Sequence, residues 1–264
     1  MPLVNYGSMK KKYTFKYLAF HFILYPLRFI TSERLREKIW IKVLKHRNSV
    51  PLYLVLKKGD IAVQVGTPNI LTVKRFASLV GDIGKVIIIE AHKENISKLK
   101  NSADLERYSN ITFESIGAWS SEGTVSFAIS DDYDGDHKVV QDNVSIDNDD
   151  RTSYQIMEEM KVDTLDNILS KNDIKSVNYL SITVNGAEHE VLKGAKQILT
   201  NSKDAIIFSK GHSVVDSDDG VKENLNVGIQ SYMQDLGYRS IISKGENIHW
   251  GETRSGDVFS WRSK

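Results

Sequence analysis

Short apolar runs alternate with helical patterns along the chain after residue 50. In the first half the apolar runs are IAVQV, KVIIIE and NITFESIGAW, and the segments between them place apolar residues three and four positions apart. The second half repeats the alternation, with HEVLKGAKQIL between the runs VNYLSITV and AIIFS. This pattern predicts βαβ units and a parallel sheet. The last two runs, YRSIIS and GDVFSW, have no long helical pattern between them and predict an antiparallel pair at one edge of the sheet.

The first 50 residues differ in character from the rest of the chain. We predict a basic, aromatic-rich helical extension at residues 1–50 and an α/β domain at residues 51–264. The most apolar segment of the extension, YLAFHFILYPLRFI, is shorter than the roughly 20 residues that a membrane-spanning helix needs. Residues 10–30 either pack on the domain as a helix or lie on an anionic membrane surface. We therefore expect a cytoplasmic protein, with a peripheral membrane contact as the alternative.

Composition excludes several classes of site. The chain has 264 residues, of which 41% are hydrophobic, and this is enough for a sizeable core. It has no cysteine, which excludes disulfides, thiolate zinc sites and cysteine nucleophiles. The acidic run SDDYDGD lacks the carboxylates that a calcium loop has at both ends, so we predict no metal site. A net charge of +1 and the lack of a base-reading module argue against a nucleic-acid partner, and the oligomeric state stays open.

Three segments together resemble the FkbM family of S-adenosylmethionine-dependent methyltransferases. They are VQVGTPNILTVKRFASLVGDIGKVIIIEAHKEN, then NITFESIGAWSSEGTVSF, and then KVDTLDNIL followed by VNYLSITVNGAEHEVLKGAKQIL. The third is the most specific, because its spacing into GAE and VLKGA is typical of the family. The resemblance covers the chain from Gly59 to His212. It implies a class I methyltransferase-like, Rossmann-like α/β fold, in which a mostly parallel seven-stranded sheet has helices on both faces and follows the N-terminal extension.

The resemblance also implies where S-adenosylmethionine binds. In an open parallel sheet the ligand lies outside the carboxyl ends of the strands. Gly66, after the first strand, leaves room for the cofactor to approach the backbone, and Glu90, at the end of the second, is placed to accept both ribose hydroxyls. Ala118 would line the adenine pocket. The full predicted cofactor-binding set is Gln64, Gly66, Thr67, Asn69, Glu90, Ala91 and Ala118.

The sequence departs from the family at the positions nearest the predicted site. Gln64 stands where the family usually has an acid, and Thr183 and Asn185 replace two acids of a central motif that reads KIDVEGAE in relatives. Ile70 stands where the family has a second glycine. A β-branched residue resists positive φ, so a left-handed conformation at Ile70 would cost roughly 1 to 2 kcal/mol, and we expect a turn of changed shape. The usual glutamate of the following strand is replaced near Ser209 or Lys210.

Transfer of a methyl group to a hydroxyl needs a base to take the proton. With the central acids replaced, the candidate bases are Glu188 and His212, and Thr183 and Asn185 complete the predicted catalytic set. Two hypotheses stay open. The first is an O-methyltransferase that acts on a glycan or another small hydroxylated acceptor. The second is a catalytically inactive descendant that serves as a binding or scaffolding module.

Overall fold

The computed structural model describes most of the chain beyond residue 31. The described residues are 32–46, 52–66, 68–130, 138–140, 154–184, 186–210, 215–216, 222–223, 225–242 and 257–262. Three predicted site residues, Thr67, Asn185 and His212, lie outside this set. The segment at residues 10–30, for which a membrane contact is the alternative, and most of the acidic run SDDYDGD also lie outside it.

Seven strands form the central sheet. In order across the sheet they are β3 (Ile111–Glu114), β2 (Lys85–Ile89), β1 (Ile61–Val65), β8 (Tyr179–Ile182), β9 (Ile206–Ser209), β13 (Val258–Trp261) and β12 (Arg239–Ile242). The first five run parallel to one another, whereas β13 is antiparallel to both of its neighbours. Both sheet predictions, the parallel body and the antiparallel edge pair, are confirmed.

Helices cover both faces of this sheet, and side chains that alternate along each strand supply the two apolar layers. The described helices are α1 (Glu33–His46), α2 (Leu52–Val55), α3 (Ile70–Val80), α4 (Lys93–Lys100), α5 (Leu165–Lys171), α6 (Glu188–Lys193), α7 (Lys196–Asn201) and α8 (Leu225–Asp235). On one face α3 and α4 pack against alternate residues of β1 and β2, such as Ala62 and Ile88. On the other face α5 to α8 pack against Val63, Leu180 and Ile182. The class I methyltransferase-like fold is thereby confirmed.

A second sheet is built from the segment between β3 and α5. Its strands are β4 (Gly117–Trp119), β5 (Gly123–Ser130), β6 (Lys138–Val140) and β7 (Tyr154–Thr164), in the order β4-β7-β5-β6. The run NITFESIGAW is divided between the two sheets, because β3 ends at Glu114 and Gly117–Trp119 forms β4 of the second sheet. Gly117 lies at this division, where a Cβ would be 2.8 Å from Cγ1 of Val162, so the glycine lets β4 lie close against β7. A short antiparallel pair, β10 (Val215–Asp216) and β11 (Lys222–Glu223), completes the described strands.

The described helix of the extension packs on the domain. The indole Nε1 of Trp261 donates to Oε1 of Glu37 at 2.8 Å, and Nη2 of Arg36 donates to the carbonyl of Leu54 at 2.9 Å. Ile39 and Ile41 of α1 pack against the apolar cluster formed by Leu54, Phe259 and Trp261. The domain boundary at residue 50 stays a prediction. No helix within the described ranges is both long enough and apolar enough to cross a membrane.

Candidate functional site

The carboxyl ends of β1 and β8 come unusually close together at Gly66. This residue has φ +90, and a Cβ placed on it would lie 2.0 Å from the carbonyl oxygen of Thr183. Its amide donates to the carbonyl of Ile89 at 2.9 Å, which also ties the turn to β2. The backbone at the end of β8 therefore leaves no room for a side chain at position 66, whether or not a ligand is bound. The glycine that the sequence assigns to cofactor approach is required by the protein backbone itself.

Gln64 and Thr183, two of the positions where the family carries acids, are bonded to each other. Gln64 is buried, with 3% of its surface exposed, and its Nε2 donates to Oγ1 of Thr183 at 2.8 Å and to the carbonyl of Val65 at 2.9 Å. The hydroxyl of Thr183 donates in turn to the carbonyl of Val65 at 3.3 Å. These bonds join the ends of β1 and β8, so the side-chain amide of Gln64 holds the edge of the sheet together.

Glu90 lies where the sequence predicts it, directly after β2 at the same edge of the sheet. It is 6% exposed, its amide donates to the carbonyl of Glu114 at 3.0 Å, and its Oε1 accepts from the amide of His92 at 2.7 Å. The carboxylate is thus oriented by its own turn. The bond from His92 fixes one oxygen of the carboxylate at the edge of the sheet where ligands of parallel α/β folds bind.

Ala91 and Ala118 lie on either side of a close contact between the turn after β2 and β4. A Cβ on Gly117 would be 3.5 Å from Cβ of Ala91. Ala118 is buried in the apolar cluster with Leu165, and its backbone pairs with Asp163 of β7. Ala118 thus lies in a strand, next to the turn that carries Ala91. That Ala118 also lines an adenine pocket stays a prediction.

Asn69 begins α3 as its N-cap. Its Oδ1 accepts from the amide of Thr72 at 2.8 Å and from the hydroxyl of Thr72 at 3.1 Å. Ile70 is the first helical residue, and among the described non-glycine residues only Asp173 has a positive φ. The strain considered for Ile70 is therefore absent, because the turn with buried Pro68 and the Asn69 cap places Ile70 in a helical conformation.

Glu188, a candidate base, closes the turn between β8 and α6. It is 1% exposed; Oε1 accepts from the amide of Val184 at 3.1 Å, and Oε2 accepts from the amide of Gly186 at 2.9 Å. Gly186 has φ +100, a conformation that suits glycine. Both carboxylate oxygens are thus engaged with the backbone of the turn that carries the central motif. These bonds position the turn, and the role of Glu188 as a base stays a prediction.

The chain matches the model of the methyltransferase FkbM domain over residues 60–240. It belongs to the FkbM methyltransferase family. A comparison of its sequence with curated proteins gives no match. Family and fold together support methylation with S-adenosylmethionine in general, and S-adenosylmethionine is the cofactor.

Solved methyltransferase structures share the fold of the FkbM domain at low sequence identity. A precorrin-6y C5,15-methyltransferase from Geobacter metallireducens is 12% identical with a TM-score of 0.42, covering 89% of this chain and 90% of that one. Aeropyrum pernix fibrillarin, solved with natively bound S-adenosylmethionine, is 13% identical with a TM-score of 0.45, covering 84% and 74%. An rRNA methylase from Streptococcus thermophilus is 12% identical with a TM-score of 0.44, covering 80% and 90%.

The edge of the FkbM domain described above fits this cofactor. Glu90 would supply a fixed carboxylate for the ribose hydroxyls, and the turn at Gly66 has no side chain. Gln64 and Thr183 offer neutral polar atoms where relatives have charged ones. Ser209, at the carboxyl end of β9, adds a buried hydroxyl: it is 2% exposed, and its Oγ has no hydrogen-bond partner in the described part of the chain. No group of three or more metal-ligating side chains was found among the described residues.

Two acids of the FkbM segment KVDTLDNIL have structural roles that the sequence analysis did not assign. Asp163 is 2% exposed and accepts from Nζ of Lys171 at 2.9 Å and from Nδ2 of Asn167 at 2.8 Å. Burial raises the pKa of Asp163, but these bonds and the amide of Thr164 outweigh it and hold the pKa below its usual value. Asp166 accepts from two amides at the start of α7, each at 2.8 Å. A local capping signal exists for Thr164, which accepts from the amide of Asn167 at the start of α5, but the bonds of Asp166 to a different helix leave no local pattern.

Proposed function

We propose that this protein is an S-adenosylmethionine-dependent O-methyltransferase whose acceptor is a glycan or another small hydroxylated molecule. The observation that carries the proposal is the buried, oriented carboxylate of Glu90 at the carboxyl edge of a domain that belongs to the FkbM family. When bound there, S-adenosylmethionine supplies an activated methyl group on a sulfonium. The residues of this chain bind the ribose, shape the turn and place the acceptor hydroxyl.

Gln64 and Thr183, the uncharged pair at the ends of β1 and β8, should change the affinity for the cofactor. The cofactor carries a sulfonium and an ammonium, and relatives with acids at these positions attract both charges. Gln64 and Thr183 can offer only uncharged hydrogen bonds, which are about half as strong as charge-assisted ones. We therefore expect the cofactor to bind more weakly than in relatives that retain the acids, with Glu90 as the principal anchor.

Three features support a small hydroxylated acceptor. Resemblance to the FkbM family implies acceptors of this kind, and the charge of the chain offers no basis for nucleic-acid binding. The unpartnered hydroxyl of Ser209 lies at the same sheet edge, and a hydroxyl of an acceptor there would satisfy it. Because both oxygens of Glu188 hold the turn, His212 is the better candidate to take the acceptor's proton, since an imidazole titrates near neutrality.

Calorimetric titration with S-adenosylhomocysteine tests the proposal. Wild-type protein should bind, and Glu90→Ala should lower the affinity by roughly 10-fold to 100-fold, because a hydrogen bond to a charged group contributes about 1.5 to 3 kcal/mol. Glu114→Ala is the matched control: Glu114 also ends a strand at this edge, but its Oε1 accepts from Asn172 at 2.8 Å. No heat with wild-type protein would refute the enzyme, and equal affinity of both variants would refute the role of Glu90.

The second candidate, an inactive binding module, is favoured by one observation. Gln64 and Thr183 satisfy each other, so this edge is stable without a ligand that would neutralise it. The two candidates differ in turnover. Incubation with radiolabelled S-adenosylmethionine and a panel of monosaccharides and glycans should label an acceptor if the enzyme is active, whereas cofactor binding without any labelled product favours the module.

A cytoplasmic location with a peripheral membrane contact through residues 10–30 completes the proposal. The contact would be electrostatic, because lysines precede the aromatic segment. Co-sedimentation of the full chain with anionic liposomes should then occur at low salt and decline as salt rises, since the Debye length shortens. No sedimentation at either salt concentration would favour packing of this segment on the domain.

A further inference from the structure

A cleft of about 130 Å³ lies at the amino-terminal edge of the central sheet, opposite the candidate cofactor site. Its floor is formed where β8 and β9 begin and where antiparallel β13 ends. Its walls come from α1 and α2. Strands of four or five residues separate the two edges, and at about 3.3 Å per residue this corresponds to roughly 15 Å. The cleft is therefore distinct from the turns that carry Gly66 and Glu90.

Arg36 supplies a cationic wall with an unsatisfied donor. Its Nη2 donates to the carbonyl of Leu54 at 2.9 Å, which fixes the guanidinium beside the cleft. Its Nε is buried and has no hydrogen-bond partner among the residues that the structure describes. A buried cationic donor without an acceptor is unfavourable, and such groups normally bind an acceptor or an ordered ligand. Arg36 lines the cleft, so an anion that entered it would lie beside this cation.

Part of the cleft lining is apolar and held in place. The indole of Trp261 is 5% exposed and fixed by its bond to Glu37, and it belongs to the apolar cluster that contains Leu54. Val55 and Ile206 extend this apolar lining along the cleft. A rigid aromatic side chain next to aliphatic ones is a typical lining for the apolar part of a small ligand.

The charged side chains of the rim balance in number, and bonds within the protein hold several of them in place. Three cationic and three acidic side chains line the cleft. Glu37 accepts from the Trp261 indole, and Oδ2 of Asp60 accepts from the amide of Lys57 at 2.8 Å. These bonds hold two of the acids to the protein. Among the charged groups of this rim that the structure describes, the Nε of Arg36 is a buried donor without a hydrogen-bond acceptor.

We propose that this cleft is a second ligand site that binds a small organic carboxylate, with the carboxylate on Arg36 and the apolar part against Trp261 and Leu54. The volume sets the size of the ligand, since a cavity of about 150 Å³ holds a benzene molecule. All three residues lie outside residues 60–240, over which the family model matches. The site therefore depends on the N-terminal extension and the last strand of this chain.

Titration of the full chain with sodium benzoate tests the site, and benzamide serves as the uncharged probe of the same shape. The indole N–H signal of Trp261 is the readout in two-dimensional NMR, assigned by its loss in Trp261→Phe. Increasing benzoate should shift this signal until binding is saturated. Benzamide should bind at least roughly tenfold more weakly, because it lacks the charge that Arg36 recognises. Equal binding of the two probes, or no shift with benzoate, would overturn the proposal.

Two variants locate the carboxylate. Arg36→Gln should weaken benzoate binding by roughly tenfold or more. Arg34→Gln removes an exposed arginine from the same helix and should leave binding unchanged. If Arg36→Gln does not fold, Arg36→Lys keeps the charge without the Nε donor and should also bind benzoate more weakly, and the comparison of the two probes on wild-type protein stands by itself.

Saturation with S-adenosylhomocysteine separates the two edges of the sheet. Benzoate binding should be unaffected by the nucleoside, because the two sites are at opposite ends of the strands. Displacement of benzoate would place it in the cofactor site and overturn the proposal. A protein that binds benzoate but not S-adenosylhomocysteine would leave this inference standing while refuting the proposed enzyme.

Discussion

Substitution of Gly66 by alanine is the sharpest test of how the candidate site is built. The new Cβ would lie 2.0 Å from the carbonyl oxygen of Thr183, and that oxygen belongs to the backbone. An unfavourable φ costs about 1 to 3 kcal/mol, and an overlap in a packed region adds typically about 1 to 3 kcal/mol. We therefore expect Gly66→Ala to lower the free energy of unfolding by about 2 to 6 kcal/mol. The ends of β1 and β8 must separate to accommodate the methyl group.

Gly237→Ala isolates the part of this loss that comes from φ. Gly237 has φ +81 and follows α8, and a Cβ on it would meet no described atom within 4 Å. Urea denaturation of the wild type and both variants gives the comparison. Gly66→Ala should be less stable than Gly237→Ala by at least about 1 kcal/mol, which exceeds the usual error of such differences of about 0.5 kcal/mol. Equal losses in the two variants would refute the close approach of the strands.

Three further predictions concern buried polar groups. Glu188→Gln should lower the free energy of unfolding by about 1.5 to 3 kcal/mol, because an amide cannot accept from both amides of the turn; unchanged stability with lost methyl transfer would instead make Glu188 a base. Asp163→Asn should destabilise the protein near neutrality. Since folding lowers the pKa of Asp163, the wild-type advantage exists above about pH 3.8 and should vanish as the pH falls through the lower folded value, which acid titration of urea stability measures. Burial raises the pKa of Tyr238 to about 12, so wild-type stability should fall between pH 10 and 12 more steeply than that of Tyr238→Phe, by about 1.4 kcal/mol per pH unit; parallel curves would contradict this.

The sheet could be predicted from the sequence because its first strands, IAVQV and KVIII, are apolar runs rich in β-branched residues between helical patterns. The parallel strands are covered on both faces, so their sequences, such as KVIII, are continuous rather than alternating. The division of NITFESIGAW between two sheets could not be predicted. It depends on the contact of Gly117 with Val162, a residue 45 positions later, and no local pattern records such a contact.

The candidate site was predictable in position but not in bonding. Residues that end parallel strands must lie at one edge of the sheet, so Gln64 and Glu90 lie where the sequence places them. The hydrogen-bond partners of the site residues could not be predicted. Asn69 caps a helix, and Glu188 binds the turn before its own helix. Such bonds depend on the path of the turn, which the sequence leaves open.

The replacement of acids at Gln64 and Thr183 is best understood as one coupled change. The two side chains are 2.8 Å apart, and two carboxylates in these positions would repel each other unless a proton or a cation lay between them. An acid at position 64 alone would face the carbonyl of Val65 without a donor to offer it. An amide at position 64 with a hydroxyl at position 183 satisfies every contact. The two departures from the family therefore follow from a single requirement, that the joined ends of β1 and β8 stay bonded without a bound cation, and they are weaker evidence of lost function than two independent losses would be.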